Sequence, residues 1–398
     1  MELSELLFSL VVIWIAAKIG GQLAERFGQA AVLGELLGGV LVGQHVLGLV
    51  HEHEFLMLVA QIGIILLLFE VGLETDLLGL MRVGPRSIAV ATIGMVVPLA
   101  GGYAVCRALG LESSAALLVG AALSATSIAI STRTLSDLNE CSSTEGRIVL
   151  GAAILDDVLA LVALGVVTQF VSTGSVTAGF AGVAVAKALG FLVLAIVVGR
   201  VFAKPLLNIV DKMTVRGALV TASLAGAMLL AVAAQAIGSA AIIGAFAAGI
   251  VLAGAHRTRI IEQELKPIAS VFTPVFFVMV GASLDVTALN PFDPANHGAL
   301  LLTGAIVVVA LAGKLLSAFG AWGKGVRRGM IGAAMAPRGE VVLIFAEVGR
   351  ASGVLGPSGF AALVVTVFVT AIVSPILICW FARRDGRPAP TEGGKCPV

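Results

Sequence analysis

The chain has 398 residues, 59% of them hydrophobic and only 12% charged, with a formal net charge of +1 at pH 7. Its mean hydropathy is +1.07. Soluble domains carry about 25% charged residues, so this composition excludes a soluble globular domain and predicts an all-α polytopic membrane protein embedded in a lipid bilayer. Its 48 glycines suit close packing of membrane helices.

Charged or turn-forming breaks mark off about thirteen apolar segments of spanning length: 5–25, 30–50, 55–73, 86–107, 113–133, 148–171, 179–203, 216–237, 239–255, 267–284, 298–322, 328–350 and 358–381. The ninth is short, and the Ile237–Gly238–Ser239 junction before it is the weakest division. The first segment follows Glu2 and Glu5 without the basic region of a signal peptide, so it is read as a retained helix.

The connections alternate in charge. One set holds Arg26; Arg82 and Arg86; Arg133 and Arg147; Arg200, Lys204, Lys212 and Arg216; Arg257, Arg259 and Lys266; and Lys324, Arg327 and Arg328. The tail at 383–398 adds Arg383, Arg384, Arg387 and Lys395. The other set holds Arg107 and Arg350 and the run His51–Glu52–His53–Glu54. By the positive-inside rule the N-terminus lies outside and the polar tail lies in the cytoplasm, which requires an odd number of spans.

An internal repeat runs through the chain. Segment two reads VLGELLGGVLVG and segment nine IIGAFAAGIVLAG, with Gly34 and Gly39 matching Gly244 and Gly249 at an offset of 210. Segment three ends FEVGLETDL and segment ten FVMVGASLDV, with Gly72 matching Gly281 at an offset of 209. Segments seven spans apart have opposite orientation. The expectation is two inverted six-helix repeats, segments 1–6 and 8–13, joined by segment seven, which is a secondary-transporter architecture.

The same offset pairs segment five with segment twelve. Segment five carries Ser124–Ala125–Thr126–Ser127 in mid-span. Segment twelve carries Met335–Ala336–Pro337–Arg338–Gly339–Glu340, where Pro337 removes a backbone donor and Gly339 adds a joint. Both read as discontinuous helices whose exposed ends offer dipoles and carbonyls to an ion. Arg338 and Glu340 are expected to satisfy the backbone freed at the break, a structural role shared with Pro337.

Segment six, GAAILDDVLALVALGV, places Asp156 and Asp157 side by side in an otherwise uncharged span. Each costs roughly 2.5–3.5 kcal/mol to insert at that depth, so the pair is a candidate site rather than decoration. Adjacent helical residues point about 100° apart, so only one of the two can face a given partner squarely. Segment eleven supplies that partner, Lys314 in VALAGKLL. A buried lysine needs a counter-charge or loses its proton. One aspartate can therefore pair with Lys314 while the other faces a water-filled cavity, and the pair with Lys314 is net negative and attracts a small monovalent cation. Thr126, ahead of Ser127, is a candidate ligand. Lys18 and Lys187 read as snorkelling or panel contacts. Glu35, Glu70 and Glu347 read as interfacial or cavity-facing carboxylates, and His51 and His53 as a solvated loop. No nucleophile–base constellation and no Cys/His metal spacing is present, so no enzyme activity, cofactor or nucleic-acid partner is expected.

GELLGGVLVG, LLLFEVGLET, SATS, GAAILDDVLAL, the GK of segment eleven and MAPRGEV occur in one order along nearly the whole chain. In this set the sequence resembles bacterial sodium/proton antiporters of the monovalent cation:proton antiporter-2 family, close in layout to its NapA-type members. The resemblance implies an NhaA-like fold with two crossing discontinuous helices, in the bacterial inner (plasma) membrane. It implies a homodimer, with panel helices at 1–73 and 216–284, a linker helix at 179–203, and ion-carrying core helices at 86–171 and 298–381. It implies exchange of Na+ and Li+ for protons by an elevator-like slide, with two protons per Na+. It also implies that Asp157 binds the cation, with Asp156 and Thr126 beside it, and that Asp156 is the partner of Lys314. Whether the second proton rides on Lys314 or Asp156 stays open. Potassium/proton exchange of the Kef-like branch, and sodium-coupled solute symport on a related fold, are the alternatives. Glu70 and Glu347 depart from the family pattern.

Overall fold

The computed structural model describes residues 3–75, 84–138, 140–141, 143–173, 178–210, 212–215, 217–237, 240–255, 257–323 and 325–384. Residues 385–398 of the expected tail, the Gly238–Ser239 junction, and the loop cations Arg82, Arg216 and Lys324 lie outside them. The described helices are α1 (Leu3–Arg26), α2 (Ala31–Val42), α3 (Glu54–Glu74), α4 (Pro85–Ala108), α5 (Ser113–Ala122), α6 (Ile128–Asp137), α7 (Thr144–Thr173), α8 (Ala178–Val210), α9 (Ala218–Ala236), α10 (Ala241–Ala253), α11 (Thr258–Ala282), α12 (His297–Ser317), α13 (Arg328–Met335), α14 (Glu340–Ala351) and α15 (Pro357–Arg384).

Among the described residues, nine helices are long and apolar enough to cross a membrane, or ten if the bent pair α13–α14 forms one span. The expected thirteen spans are not reached on length. Helices α2, α5 and α10 have 12, 10 and 13 residues, and a helix rises only about 1.5 Å per residue against a core about 30 Å thick. Counting apolar residues does not register where the backbone leaves the helix. The tenth segment differs too. Helix α11 starts at Thr258, before the expected 267, because the charged stretch ahead of it is amphipathic: Ile261, Leu265 and Ala269 are buried one turn apart.

The chain divides into two compact units. The first takes residues up to Gln22, Gly34 to Leu77, and Thr168–Ser283. Within it α3 packs against α10 and α11, and α9 against α10. Its packing rests on glycines that let backbones meet. A Cβ on Gly39 of α2 would run into the Val278 backbone of α11, and one on Gly281 into Leu36. A Cβ on Gly249 of α10 would meet Phe69 and Gly72 of α3, and one on Gly72 would meet Phe246 and Gly249. Gly34 meets Gly20 as Gly244 meets Leu230. The residues of each contact recur 209 or 210 positions along the chain. Lys18 does more than reach for the surface. Pro274 leaves the Ser270 carbonyl without its helical donor, and Lys18 Nζ donates to that carbonyl at 3.3 Å. Trp14 Nε1 donates to the next carbonyl, Val271, at 3.0 Å.

The second unit takes Leu23–Leu33, residue 78 to Val167, and the chain from Leu284 onward. Helix α12 packs on α4 and α15, and α14 on α15. Its core gathers Val90, Leu135, Val149, Met330, Met335 and Ile378. Every residue of the candidate site belongs to this unit.

Candidate ion-binding site

Two helices break in mid-course and meet at their breaks. Helix α5 stops at Ala122 and α6 starts at Ile128. Helix α13 stops at Met335 and α14 starts at Glu340, with a 41° bend between them. The Ser127 N–H donates to the Pro337 carbonyl at 2.9 Å. The Thr126 hydroxyl donates to the Met335 carbonyl at 3.3 Å, and the Ser131 hydroxyl to the Ala334 carbonyl at 2.5 Å. Each bond satisfies a group that a continuous helix would have satisfied itself. The crossing needs a glycine, because a Cβ on Gly339 would lie 2.8 Å from both Cβ and Oγ of Ser127.

Arg338 pins this crossing. Its side chain is fully buried. One guanidinium nitrogen donates to the Ala125 carbonyl in the α5–α6 break, and the other to the Ala310 carbonyl of α12 at 3.1 Å. Its backbone N–H donates to the Thr370 hydroxyl of α15 at 3.1 Å. Glu340, the first residue of α14, is partly exposed and makes no side-chain hydrogen bond to another described residue.

The two aspartates differ. Asp156 is buried and accepts from Lys314 Nζ at 2.9 Å, with both side chains at most 1% exposed. Lys314 fits because α4 offers Gly94 there: a Cβ on Gly94 would lie 3.4 Å from Nζ. Asp157 is partly exposed, and its carboxylate has no hydrogen bond or ion pair with a described residue. The charged groups that act on it are Glu340, Asp156 and Lys314. Arg338 in turn interacts electrostatically with Asp156. The cluster is thus three acids and two bases, one negative charge in excess. A monovalent cation or a proton would balance it.

A second buried ionic cluster was not anticipated from the sequence. Arg327, just before α13, holds Glu140 in a two-pronged ion pair, with nitrogen–oxygen distances of 2.9 and 2.5 Å. It also contacts Glu145 of α7 at 3.0 Å through both its side chain and its backbone N–H. Its hydrogen bonds to the Glu140 carboxylate hold the Arg327 guanidinium above the usual arginine range. Glu140 and Glu145 are 2% and 5% exposed. A charge left buried without its partner costs about 3–5 kcal/mol. Arg327→Met strands both carboxylates and is expected to lower stability by about that amount or more, whereas Glu140→Ala leaves Arg327 paired with Glu145 and costs less. Thermal unfolding of the detergent-purified chain measures both, and an equal or larger loss in Glu140→Ala would contradict the shared pairing. Glu347 is likewise committed, to Arg350 at 2.9 and 3.0 Å.

A family model described as sodium/hydrogen exchanger, transmembrane, matches residues 9–384. The chain belongs to the sodium/hydrogen exchanger family. Members of this family are ion antiporters, not enzymes. The exchanger is 39% identical to the high-affinity Na+/H+ antiporter NhaS3 of Synechocystis sp., over 94% of this chain and 89% of that protein. It is 34% identical to the Na+/H+-K+ antiporter GerN of Bacillus cereus, over 96% and 97% of the two chains. Among solved structures, the sodium proton antiporter MjNhaP1 of Methanocaldococcus jannaschii superposes with a TM-score of 0.71 at 20% identity. That match covers 96% of this exchanger and 99% of the other chain, and it relates the folds.

Proposed function

We propose that this exchanger moves Na+ and Li+ against protons across the bacterial inner membrane, with Asp157 as the shared carrier. The observation that carries the reading is the asymmetry of the aspartate pair: Lys314 occupies Asp156 at 2.9 Å and leaves Asp157 without a protein partner among the described residues. A cation and a proton compete for that carboxylate, so one enters as the other leaves. Thr126 and Ser127 stand at the adjoining helix break, where carbonyls can complete a cation's coordination. The Na+/H+ antiporter names of NhaS3 and GerN support sodium as cargo.

Thirteen spans in two inverted repeats, with the N-terminus outside and the tail in the cytoplasm, fit the paired glycine approaches at offsets of 209 and 210. The division of the chain into two compact units favours panel segments 1–3 and 8–10 as one body and core segments 4–6 and 11–13 as the other; the homodimer rests on the family resemblance. Such a division suits alternating access by an elevator-like slide of the ion-carrying unit. Two protons per Na+ make the exchange electrogenic.

The test is reconstitution of the full chain into proteoliposomes with an imposed pH gradient, adding Na+, Li+ and K+ in turn. Sodium-driven dissipation is expected, and its absence with every cation would overturn the reading. Dissipation by K+ alone would favour potassium exchange, the cation that GerN's name adds. Lys314→Gln is expected to keep Na+-driven proton movement but weaken its response to membrane voltage, if the lysine carries the second proton. An unchanged voltage response would assign that proton to Asp156.

A further inference from the structure

A cavity of about 520 Å3 opens where α4 and α7 begin, lined by Arg86 and Ser87 of the first and Thr144 and Arg147 of the second, over a floor that includes Ile148 and Ile154. Among the described residues no carboxylate lines it. Most arginines elsewhere in this unit are engaged: Arg327 with Glu140, Arg328 with the Ala321 carbonyl, Arg338 with Ala125, and Arg350 with Glu347. Among the described residues, the guanidinium groups of Arg86 and Arg147 have neither a hydrogen-bond partner nor an ion pair. Two guanidinium groups with no acid beside them among the described residues leave positive charge there unbalanced.

Backbone donors add to it. Helix α4 has Gly84 at its N-cap, with no side-chain cap, and Pro85 in its first turn. The N–H groups of Arg86 and Ser87 therefore have no acceptor within the helix, and the helix dipole is positive at this end. Ser87 provides an independent sign. Its side chain is only 4% exposed, it lines the cavity, and its hydroxyl has no hydrogen-bond partner among the described residues.

We propose that this cavity binds a phosphate group borne by a partly apolar molecule. The phosphate oxygens take the forks of Arg86 and Arg147, the Ser87 hydroxyl and the free N–H groups of α4, while the isoleucine floor takes the apolar part. The volume is too large for a bare anion alone. Two sources share this chemistry: the headgroup of an anionic phospholipid and a soluble organic phosphate. Arg86 and Arg147 both fall in the basic set of connections, so the positive-inside assignment gives the site to the cytoplasmic side, where both sources are present.

The test uses the full chain, delipidated in detergent, at constant ionic strength held with chloride. Inorganic phosphate is titrated while thermal unfolding is followed. In parallel, retention of phosphatidylglycerol against phosphatidylcholine is counted by native mass spectrometry. Saturable binding of at least one probe is expected, weakened about tenfold or more by Arg86→Gln or Arg147→Gln, each of which removes a charge-assisted contact. Arg147 is exposed and touches no polar partner among the described residues, so that variant keeps the fold. Ser87→Asp sets a carboxylate in the site and is expected to abolish binding while raising the unfolding temperature of the ligand-free chain. Phosphate binding without phosphatidylglycerol retention identifies a soluble ligand; selective phosphatidylglycerol retention identifies a lipid. Saturation by neither probe, or binding unchanged in all three variants, would overturn the proposal.

Discussion

Asp157→Asn is expected to abolish cation-driven proton movement while leaving the folded protein as stable as its parent or more so. An amide holds no proton near neutral pH and offers a cation no charge, so the loss is complete rather than a shift in affinity. Stability follows a different rule. Asp157 makes no hydrogen bond or ion pair with a described residue, and an aspartate at this depth costs up to about 3 kcal/mol. Removing its charge therefore removes a penalty. Asp156→Asn should behave in the opposite sense. It removes the counter-charge 2.9 Å from Lys314, itself fully buried, and breaking such a pair costs about 3–5 kcal/mol. Transport in proteoliposomes and thermal unfolding in detergent, measured on both variants, separate the two carboxylates. Exchange at parental rates in Asp157→Asn would reject the assignment of the carrier, and equal stability losses in both would reject the asymmetry.

That asymmetry was only half legible in the sequence. Charges in apolar segments stand out because they are costly, so Asp156, Asp157 and Lys314 could be singled out without coordinates. Helical geometry further required that the two aspartates face different ways. The choice between them came from a resemblance, and the structure adds the contact: Nζ meets Asp156. The glycine pattern was legible for a related reason, since a residue without a side chain repeated at one offset signals close backbone approach.

What escaped was non-local or depended on where the backbone turns. Arg327 read as one more loop cation, and nothing local joins it to Glu140 and Glu145, which lie 187 and 182 residues away. Charges near a membrane face carry no insertion penalty, so they raise no alarm. The short helices α2, α5 and α10 escaped because apolar length and helical length are different quantities. Ser131 and Thr370 escaped because a hydroxyl on a helix is ordinary until a broken neighbour needs its donor or acceptor.

Arg338→Ala is expected to give the largest loss of stability among single substitutions at the crossing, about 3–5 kcal/mol. Arg338 is the largest fully buried side chain of the described residues, and its guanidinium joins the α5–α6 break at Ala125 to α12 at Ala310. Truncation leaves the buried acceptor at Ala125 unsatisfied, at about 1–3 kcal/mol for such a group. It also removes packing around a long stem and takes a positive charge from beside Asp156. The cluster then holds three acids against Lys314 alone. Arg338→Lys keeps the charge but not the fork, since one ammonium cannot match the planar geometry that spans two carbonyls, so it should recover only part of the loss. Arg350→Ala is the contrast: its pair with Glu347 is partly open, at 22% and 11% exposure, and exposed pairs contribute about 0–1 kcal/mol. Thermal unfolding of the three variants, with sodium-driven exchange on each, tests the ranking. A loss under about 1 kcal/mol in Arg338→Ala would mean that the bonds of Thr126, Ser127 and Ser131 hold the crossing without it. Full recovery in Arg338→Lys would mean that charge, not geometry, is what the break requires.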